Sequence, residues 1–247
     1  MTKNFLNSTV VIPARFESTR FPGKPLEKIA QKTMIQHVYE RASAAQRPSG
    51  VIVATDDNRI KLAVQAFGGK VQMTAKTHQS GTERIAEIIP KLETDLVVNV
   101  QADEPLIDPA SIDAAIEPFE SDSRLMISTI KSLATQKELN DSNVVKVVTN
   151  QKGYALYFSR SPIPFCKRTD SFQGVFFKHI GLYVYRKEVL EAFPKLLKCK
   201  LEEIEDLEQI RFLYNGYQIK VVQYEHKSIG VDTPEDLVRV REIMQGS

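Results

Sequence analysis

Short apolar runs alternate with amphipathic stretches through the first half of this chain. Val10 to Ile12 is an apolar run of strand length. Ile35, Val38, Tyr39 and Ala42 then recur at three- and four-residue steps, which gathers them on one helical face. Val51 to Ala54 reads as a buried strand ending in Thr55-Asp56-Asp57. Ile60, Ala63, Val64 and Phe67 repeat the helical spacing, and Gly68-Gly69 stops that helix. Lys70 to Met73 is a short strand, and Ile85, Ile88, Ile89 and Leu92 mark another helix. Leu96 to Val100 is strongly apolar and runs into Gln101-Ala102-Asp103-Glu104-Pro105. Asp108-Pro109 supplies an N-cap and first-turn proline for a helix bearing Ile112, Ala115, Ile116 and Phe119.

This rhythm predicts an α/β fold, Rossmann-like, with a mostly parallel sheet flanked by helices. Ligands bind such sheets beyond the carboxyl ends of the strands. The loop from Arg15 to Lys24, Asp56 and Asp103 all follow strand ends and so share one crevice. After about residue 124 the rhythm changes. Met126 to Ile130, Val144 to Val148 and Ala155 to Ser159 are strand-like, without helices of comparable length between them. The pattern predicts a strand-rich antiparallel insertion over 124–190. Ile180 to Tyr185 is a further strand, and Val189, Leu190 and Phe193 begin a helix. One long helix is expected next, with Ile204, Leu207, Ile210 and Tyr214 inward and Asn215-Gly216 at its end. Ile219 to Tyr224 is a late strand, and Thr233-Pro234-Glu235-Asp236 opens a last helix in a capping-box-like pattern. No linker divides the 247 residues, so a single domain is expected.

Charge and cysteine content narrow the function classes. The formal net charge is +2, too balanced for a nucleic-acid footprint. Cys166 and Cys199 lie far apart and outside any C-x-x-C pattern, so ordinary reduced thiols are expected. No run approaches the ~20 apolar residues of a membrane span. A soluble, cytoplasmic protein with no membrane or nucleic-acid partner is the expectation.

Candidate chemistry concentrates in the loops. Arg15, Arg20 and Lys24 follow the first strand, in a loop shaped by Gly23 and two prolines. Arg presents a planar fork to phosphate oxygens and Lys a compact charge, so the loop suits a triphosphate. It contains neither a Walker A nor a dinucleotide glycine pattern. Asp103 and Asp232 each end a loop, and Mg²⁺ is typically held by one or two carboxylates plus phosphates. By pattern alone each also fits an ordinary role, in a turn or as a helix lead-in. His78-Gln79-Ser80-Gly81-Thr82-Glu83-Arg84 precedes an amphipathic helix. It reads as a plain N-cap or as a helix terminus approached by a base. Arg160 at a strand end suits a substrate carboxylate. His179, Glu208 and Gln209 read equally well as structural residues.

Taken together the segments resemble one family. They are IPARFESTRFPGKPL from Ile12, VATDD from Val53, HQSGTERIAE from His78, VNVQADEP from Val98, YALYFSR from Tyr154, HIGLYVYR from His179, LEQIR from Leu207 and GVDTPEDL from Gly230. Their order and content are similar to the 3-deoxy-manno-octulosonate cytidylyltransferases (CMP-Kdo synthetases) across nearly the whole chain. The resemblance implies a nucleotide-diphospho-sugar transferase type of fold over 1–247. It also implies an Mg²⁺-dependent enzyme of lipopolysaccharide synthesis. In that chemistry the anomeric hydroxyl of the sugar acid Kdo attacks the α-phosphorus of CTP, giving CMP-Kdo and pyrophosphate. Carried over by motif, Arg15, Arg20 and Lys24 hold the triphosphate. Gln79, Gly81, Thr82 and Arg84 lie on the cytosine and ribose side. Asp103 and Asp232 hold Mg²⁺, with Lys24 beside them in catalysis. Gln101, Arg160, His179, Tyr183, Glu208 and Gln209 line the substrate side. A homodimer through 124–190 is also implied.

Two departures stand out. Ala102 occupies a position where the family usually has glycine, which requires φ to stay negative there. Phe165-Cys166-Lys167-Arg168 replaces the usual Trp-Asp-Arg-Asp, so substrate contacts from that loop are not carried over. The first loop lacks the Ser-Gly-Ser-Lys-Gly run typical of CMP-sialic acid synthetases. A nucleotide-binding protein without catalysis would be expected to lose a metal carboxylate, and both are present.

Overall fold

The computed structural model describes residues 6–17, 21–167, 176–225 and 229–245. Nine strands form one sheet: β1 Ser8–Ala14, β2 Gly50–Thr55, β3 Val71–Met73, β4 Leu96–Asn99, β5 Ile127–Leu133, β6 Lys146–Thr149, β7 Ala155–Ser159, β8 Phe177–Arg186 and β9 Ile219–Gln223. The order across it is β9-β5-β8-β4-β1-β2-β3, with the β6–β7 hairpin attached to β8. β1 pairs in parallel with both β2 and β4, and β2 with β3. β8 runs antiparallel to β4 and β5. β1 and β4 are nearly continuous apolar runs because helices cover both faces of the sheet; every residue of β4 is buried.

The helices follow the sequence pattern closely at first. They are α1 Met34–Ser43, α2 Asn58–Ala66, α3 Gly81–Ile88 and α4 Pro109–Ile116. Each inward face is the predicted one: Ile35, Val38 and Ala42 are buried in α1, Ile60 and Val64 in α2. Asp57 and Asp108 cap α2 and α4 by accepting from the N–H groups of Arg59 and Ala110. Short helices α5 Pro118–Ser121, α6 Gln136–Asn140 and α7 Lys187–Ala192 follow, and α10 Pro234–Gln245 comes last.

The strand-rich segment after residue 124 joins the central sheet, with β5 and β8 inside it and the β6–β7 hairpin attached to β8. One expectation changes. The single long helix through Ile204 and Tyr214 is two short ones, α8 Lys200–Glu205 and α9 Gln209–Tyr214. Asp206 takes φ 50° between them, a left-handed turn that a continuous helix cannot contain. Leu207 and Ile210 are buried as expected, but the break turns Ile204 outward to 78% exposure and leaves Tyr214 60% exposed.

The strand order places the site. Chain direction across the sheet reverses between β1 and β4, and ligands bind such sheets at that switch point, beyond the strand ends. A separate small core brings the end of the chain to the same place. Val231, Leu237 and Val240 pack with Ile29 and Met34. Arg241 of α10 also donates to the Lys28 carbonyl.

Candidate active site

A cleft of about 700 Å³ opens at the switch point. Its walls carry Arg15, Lys24, Gln79, Gly81, Arg84, Gln101, Asp103, Arg160 and Asp232 from the sequence reading. Arg20 lies outside the described residues.

Lys24 stands at the centre. It opens a 3₁₀ turn, Lys24–Leu26, behind Gly23, whose φ is 75°. Gly23 donates its N–H to the Phe16 carbonyl at 2.8 Å. A Cβ on Gly23 would lie 3.0 Å from the Phe16 ring, so both backbone and space call for glycine. The Lys24 ammonium donates to Asp103 Oδ2 at 2.7 Å and lies 3.5 Å from Asp232 Oδ1. These side chains are 13%, 30% and 53% exposed for Lys24, Asp103 and Asp232. The two carboxylates therefore face one point, although 129 residues separate them in sequence.

Backbone contacts hold that convergence. Val231 N–H donates to the Asp103 carbonyl at 2.8 Å, tying the two acidic loops together. Gly230 allows the approach: a Cβ there would lie 3.1 Å from Glu104 Oε1. Ala102 is not among the non-glycine residues with positive φ, which are Ala30 and Asp206 among the described residues. Alanine in place of the usual glycine thus fits beside Asp103.

The donor set suits Mg²⁺. Both groups offer hard oxygen donors aimed at a common cation, here the Lys24 ammonium. Among the described residues no group of three or more His, Cys, Asp or Glu side chains is placed to hold a metal ion by itself. Two carboxylates leave most of a six-oxygen shell to phosphates and water, the usual Mg²⁺ arrangement.

The start of α3 forms a second wall. Ser80 caps it by accepting from the Glu83 N–H at 3.1 Å. A Cβ on Gly81 would lie 3.1 Å from the Pro13 ring, so this glycine lets the helix start close against the end of β1. Gln101 projects into the cleft and donates its amide to Asn99 Oδ1 at 2.8 Å. Arg84 reaches the cleft wall, but its charge is already matched. It donates to Asp56 at 2.8 Å and to Thr74 at 2.5 Å, pinning the ends of two strands. Thr82 is buried and hydrogen-bonds Glu208 and Tyr185, turned away from the cleft.

Arg160 forms the third wall. Its guanidinium donates to the carbonyls of Glu205 at 2.7 Å, Ser142 at 3.0 Å and Asp206 at 3.3 Å. Three of its five N–H groups are thereby used, and two remain for a ligand. His78, Ser142, Asn143 and Asp206 also line the cleft. The sequence reading did not single these out as site residues. Asp141-Ser142-Asn143 carried only a polar-turn signal.

His179, Tyr183, Glu208 and Gln209 sit behind the cleft lining rather than on it. His179 lies between the rings of Phe158 and Tyr183, at 5.0 and 5.2 Å. Its Nε2 is 2.9 Å from Thr129 Oγ1, whose own hydroxyl donates to the Leu182 carbonyl at 2.8 Å. That leaves His179 as the donor to Thr129. Burial lowers its pKa to about 3, so the ring is neutral near pH 7. Burial also raises the Glu208 carboxyl, against hydrogen bonds from Ser80 and Thr82. The Tyr183 hydroxyl is buried without a hydrogen-bond partner.

The His179 environment has a measurable consequence. Below pH 6.5 the unfolded chain takes up a proton on this imidazole and the folded protein does not, until about pH 3. Stability is lost on acidification across that window. Urea unfolding of His179→Gln at pH 7 and pH 5 should show a smaller loss than wild type. Equal losses would mean that the folded imidazole protonates normally.

A cytidylyltransferase family model matches residues 9–224. A curated 3-deoxy-manno-octulosonate cytidylyltransferase from Syntrophotalea carbinolica is 51% identical over 98% of this chain and 100% of its own length. The protein of the same name from Geotalea daltonii is 53% identical over 95% of this chain and 96% of its own. The solved structure of a CMP:2-keto-3-deoxy-manno-octonic acid synthetase complexed with CTP superposes with a TM-score of 0.93. It has 42% identity and covers 97% of this chain and 99% of that one.

Proposed function

This chain belongs to the 3-deoxy-manno-octulosonate cytidylyltransferase family, and from that premise we propose how its cleft activates a Kdo-type sugar acid with CTP. The products are CMP-Kdo and pyrophosphate, for lipopolysaccharide synthesis. The observation that carries the site assignment is the Lys24 ammonium between Asp103 and Asp232 at the switch point. A charge centre of that kind suits a displacement at phosphorus, where catalysis is mostly positioning and electrostatics.

Arg15 and Lys24 hold the triphosphate, with Arg20 of the same loop as a third cation. Gln79 and Gly81 take the cytidine side, where the start of α3 offers N–H groups. Arg84 supports that wall through Asp56 instead of spending its charge on the ligand. Asp103 and Asp232 would hold Mg²⁺. When bound, the ion offsets charge on the phosphoryl oxygens and orients the attacking hydroxyl. Lys24 stays close enough to steady the departing pyrophosphate.

The sugar acid occupies the side bounded by Gln101 and Arg160. Arg160 lines this side with two guanidinium N–H groups not spent on carbonyls. Among the described residues only the exposed Asp206 carboxylate is near it, at 3.8 Å, so the guanidinium suits the acid's carboxylate. His179 and Tyr183 lie off the cleft lining and back this side of it, His179 through Thr129 and through its ring contact with Tyr183. Glu208 supports the Ser80 cap from below, and Gln209, 8% exposed, lies beside it.

The chain works as a homodimer in the cytoplasm, where nucleoside triphosphates are available. The strand-rich segment supports the first statement, since Leu156 and Phe165 are exposed there at 61% and 87%. No helix among the described residues is long and apolar enough to cross a membrane.

The reaction is tested by pyrophosphate release from each nucleoside triphosphate, with Kdo, 8-amino-Kdo and sialic acid as acceptors. Release with CTP and a Kdo-type acid is expected; release with sialic acid alone overturns the assignment. Arg160→Lys tests the acceptor side, since it keeps the charge and loses the fork. It should lower kcat/KM for the sugar acid by roughly 1.5–3 kcal/mol, the worth of a charged hydrogen bond. The KM for CTP should stay unchanged, and a defect mainly toward CTP moves Arg160 out of this role.

A further inference from the structure

Lys146 is fully buried on β6, and its three ammonium N–H groups all meet backbone carbonyls. They go to Asp141 at 3.0 Å, Val144 at 2.7 Å and Arg160 at 2.5 Å. Burying a charge this way is costly, and the burial itself presses its pKa down. An apolar side chain at this point of the hairpin would fill the space without that cost. What it could not do is satisfy three carbonyls at once.

Those carbonyls belong to two stretches of the cleft wall. Asp141 and Val144 begin and end a tight turn, closed by the Val144 N–H on the Asp141 carbonyl at 3.1 Å. Ser142 and Asn143, between them, line the cleft. Arg160 follows β7 and lines it too. The Arg160 guanidinium also grips this turn, through the Ser142 carbonyl at 3.0 Å. Lys146 and Arg160 thus hold one turn from two sides. On the far side Glu205 accepts from the Arg160 N–H at 2.8 Å and from the Ser159 hydroxyl at 2.6 Å.

We propose that Lys146 is a positioning residue for the acceptor, fixing the Asp141–Val144 turn against the Arg160 main chain and so setting where the Arg160 guanidinium stands in the cleft. This rests on the assignment of Arg160 to the acceptor carboxylate. It separates the two substrates, because among the described residues the Lys146 ammonium bonds only to the Asp141, Val144 and Arg160 carbonyls, away from the residues assigned to CTP.

Steady-state kinetics of Lys146→Gln, Arg160→Lys and the double variant test it. Lys146→Gln is smaller and neutral, and it leaves at least one carbonyl unpaired. The KM for the sugar acid should rise about tenfold, the scale of one lost charged hydrogen bond, while the KM for CTP is unchanged. Lys146→Arg, which keeps a buried donor, should recover part of the loss and decides the matter if Lys146→Gln does not fold. In the Arg160→Lys background the Lys146→Gln effect should shrink, because both act through one contact. Equal impairment toward both substrates, or full additivity with Arg160→Lys, overturns the proposal. If Arg160→Lys impairs the acceptor and Lys146→Gln does not, only the positioning role falls. If Arg160→Lys leaves acceptor kinetics unchanged, the Arg160 assignment fails and the role of Lys146 falls with it.

Discussion

Asparagine at position 103 lowers turnover at least ~10²-fold at saturating Mg²⁺, the scale of removing one group that stabilises charge in the transition state. The substitution is nearly isosteric. It keeps the Asp103 carbonyl that accepts from Val231, so the two acidic loops stay joined. What it removes is the negative charge facing the cleft and the 2.7 Å partner of Lys24. Asp232→Asn should behave alike, since its carboxylate faces the same point at 3.5 Å. Circular dichroism and thermal unfolding should show both variants folded. Near-normal turnover by either would take that residue out of the metal site.

Lys24→Met cuts turnover comparably, by ~10²-fold or more, and divides the nucleotide in two. Lys24 sits on the turn after Gly23 and is assigned to the phosphates, while the α3 wall is assigned to cytidine. Loss of its charge should weaken CTP binding and leave cytidine binding unchanged, read by calorimetry of each ligand. Methionine keeps the stem packed against its surroundings, so the loss is one of charge and not of volume. An equal collapse of cytidine binding would show that Lys24 acts through the shape of the cleft.

The legible parts of this protein are those governed by local pattern. β1, β2, β4 and their following helices have the periodicity, caps and glycine stops that their buried faces require. Since a doubly covered sheet binds at its switch point, the positions of Lys24 and Asp103 followed from the strand ends. Residues whose partners lie far along the chain were less legible. Arg84 sits in a helix-opening motif that reads as a nucleotide wall, but its charge goes to Asp56, 28 residues away. A lysine on a strand reads as solvent-facing, and nothing near Lys146 in sequence announces that Arg160 will bring it a third carbonyl. The α8–α9 break was hidden for a different reason. Ile204, Leu207, Ile210 and Tyr214 keep helical spacing across it, although the backbone leaves the helix at Asp206 and re-enters one at Gln209.

The bond from Val231 to the Asp103 carbonyl also bears on how the enzyme is born. The phosphate loop and Asp103 emerge early from a ribosome adding about 5–20 residues per second, and the first four strands can pair at once. Asp232 is made 129 residues after Asp103, and Lys24 must close a separation of 208 residues to meet that carboxylate. A nascent chain that has not reached Asp232 therefore lacks the carboxylate pair. Such a chain is expected to be silent toward CTP until the second carboxylate has been made.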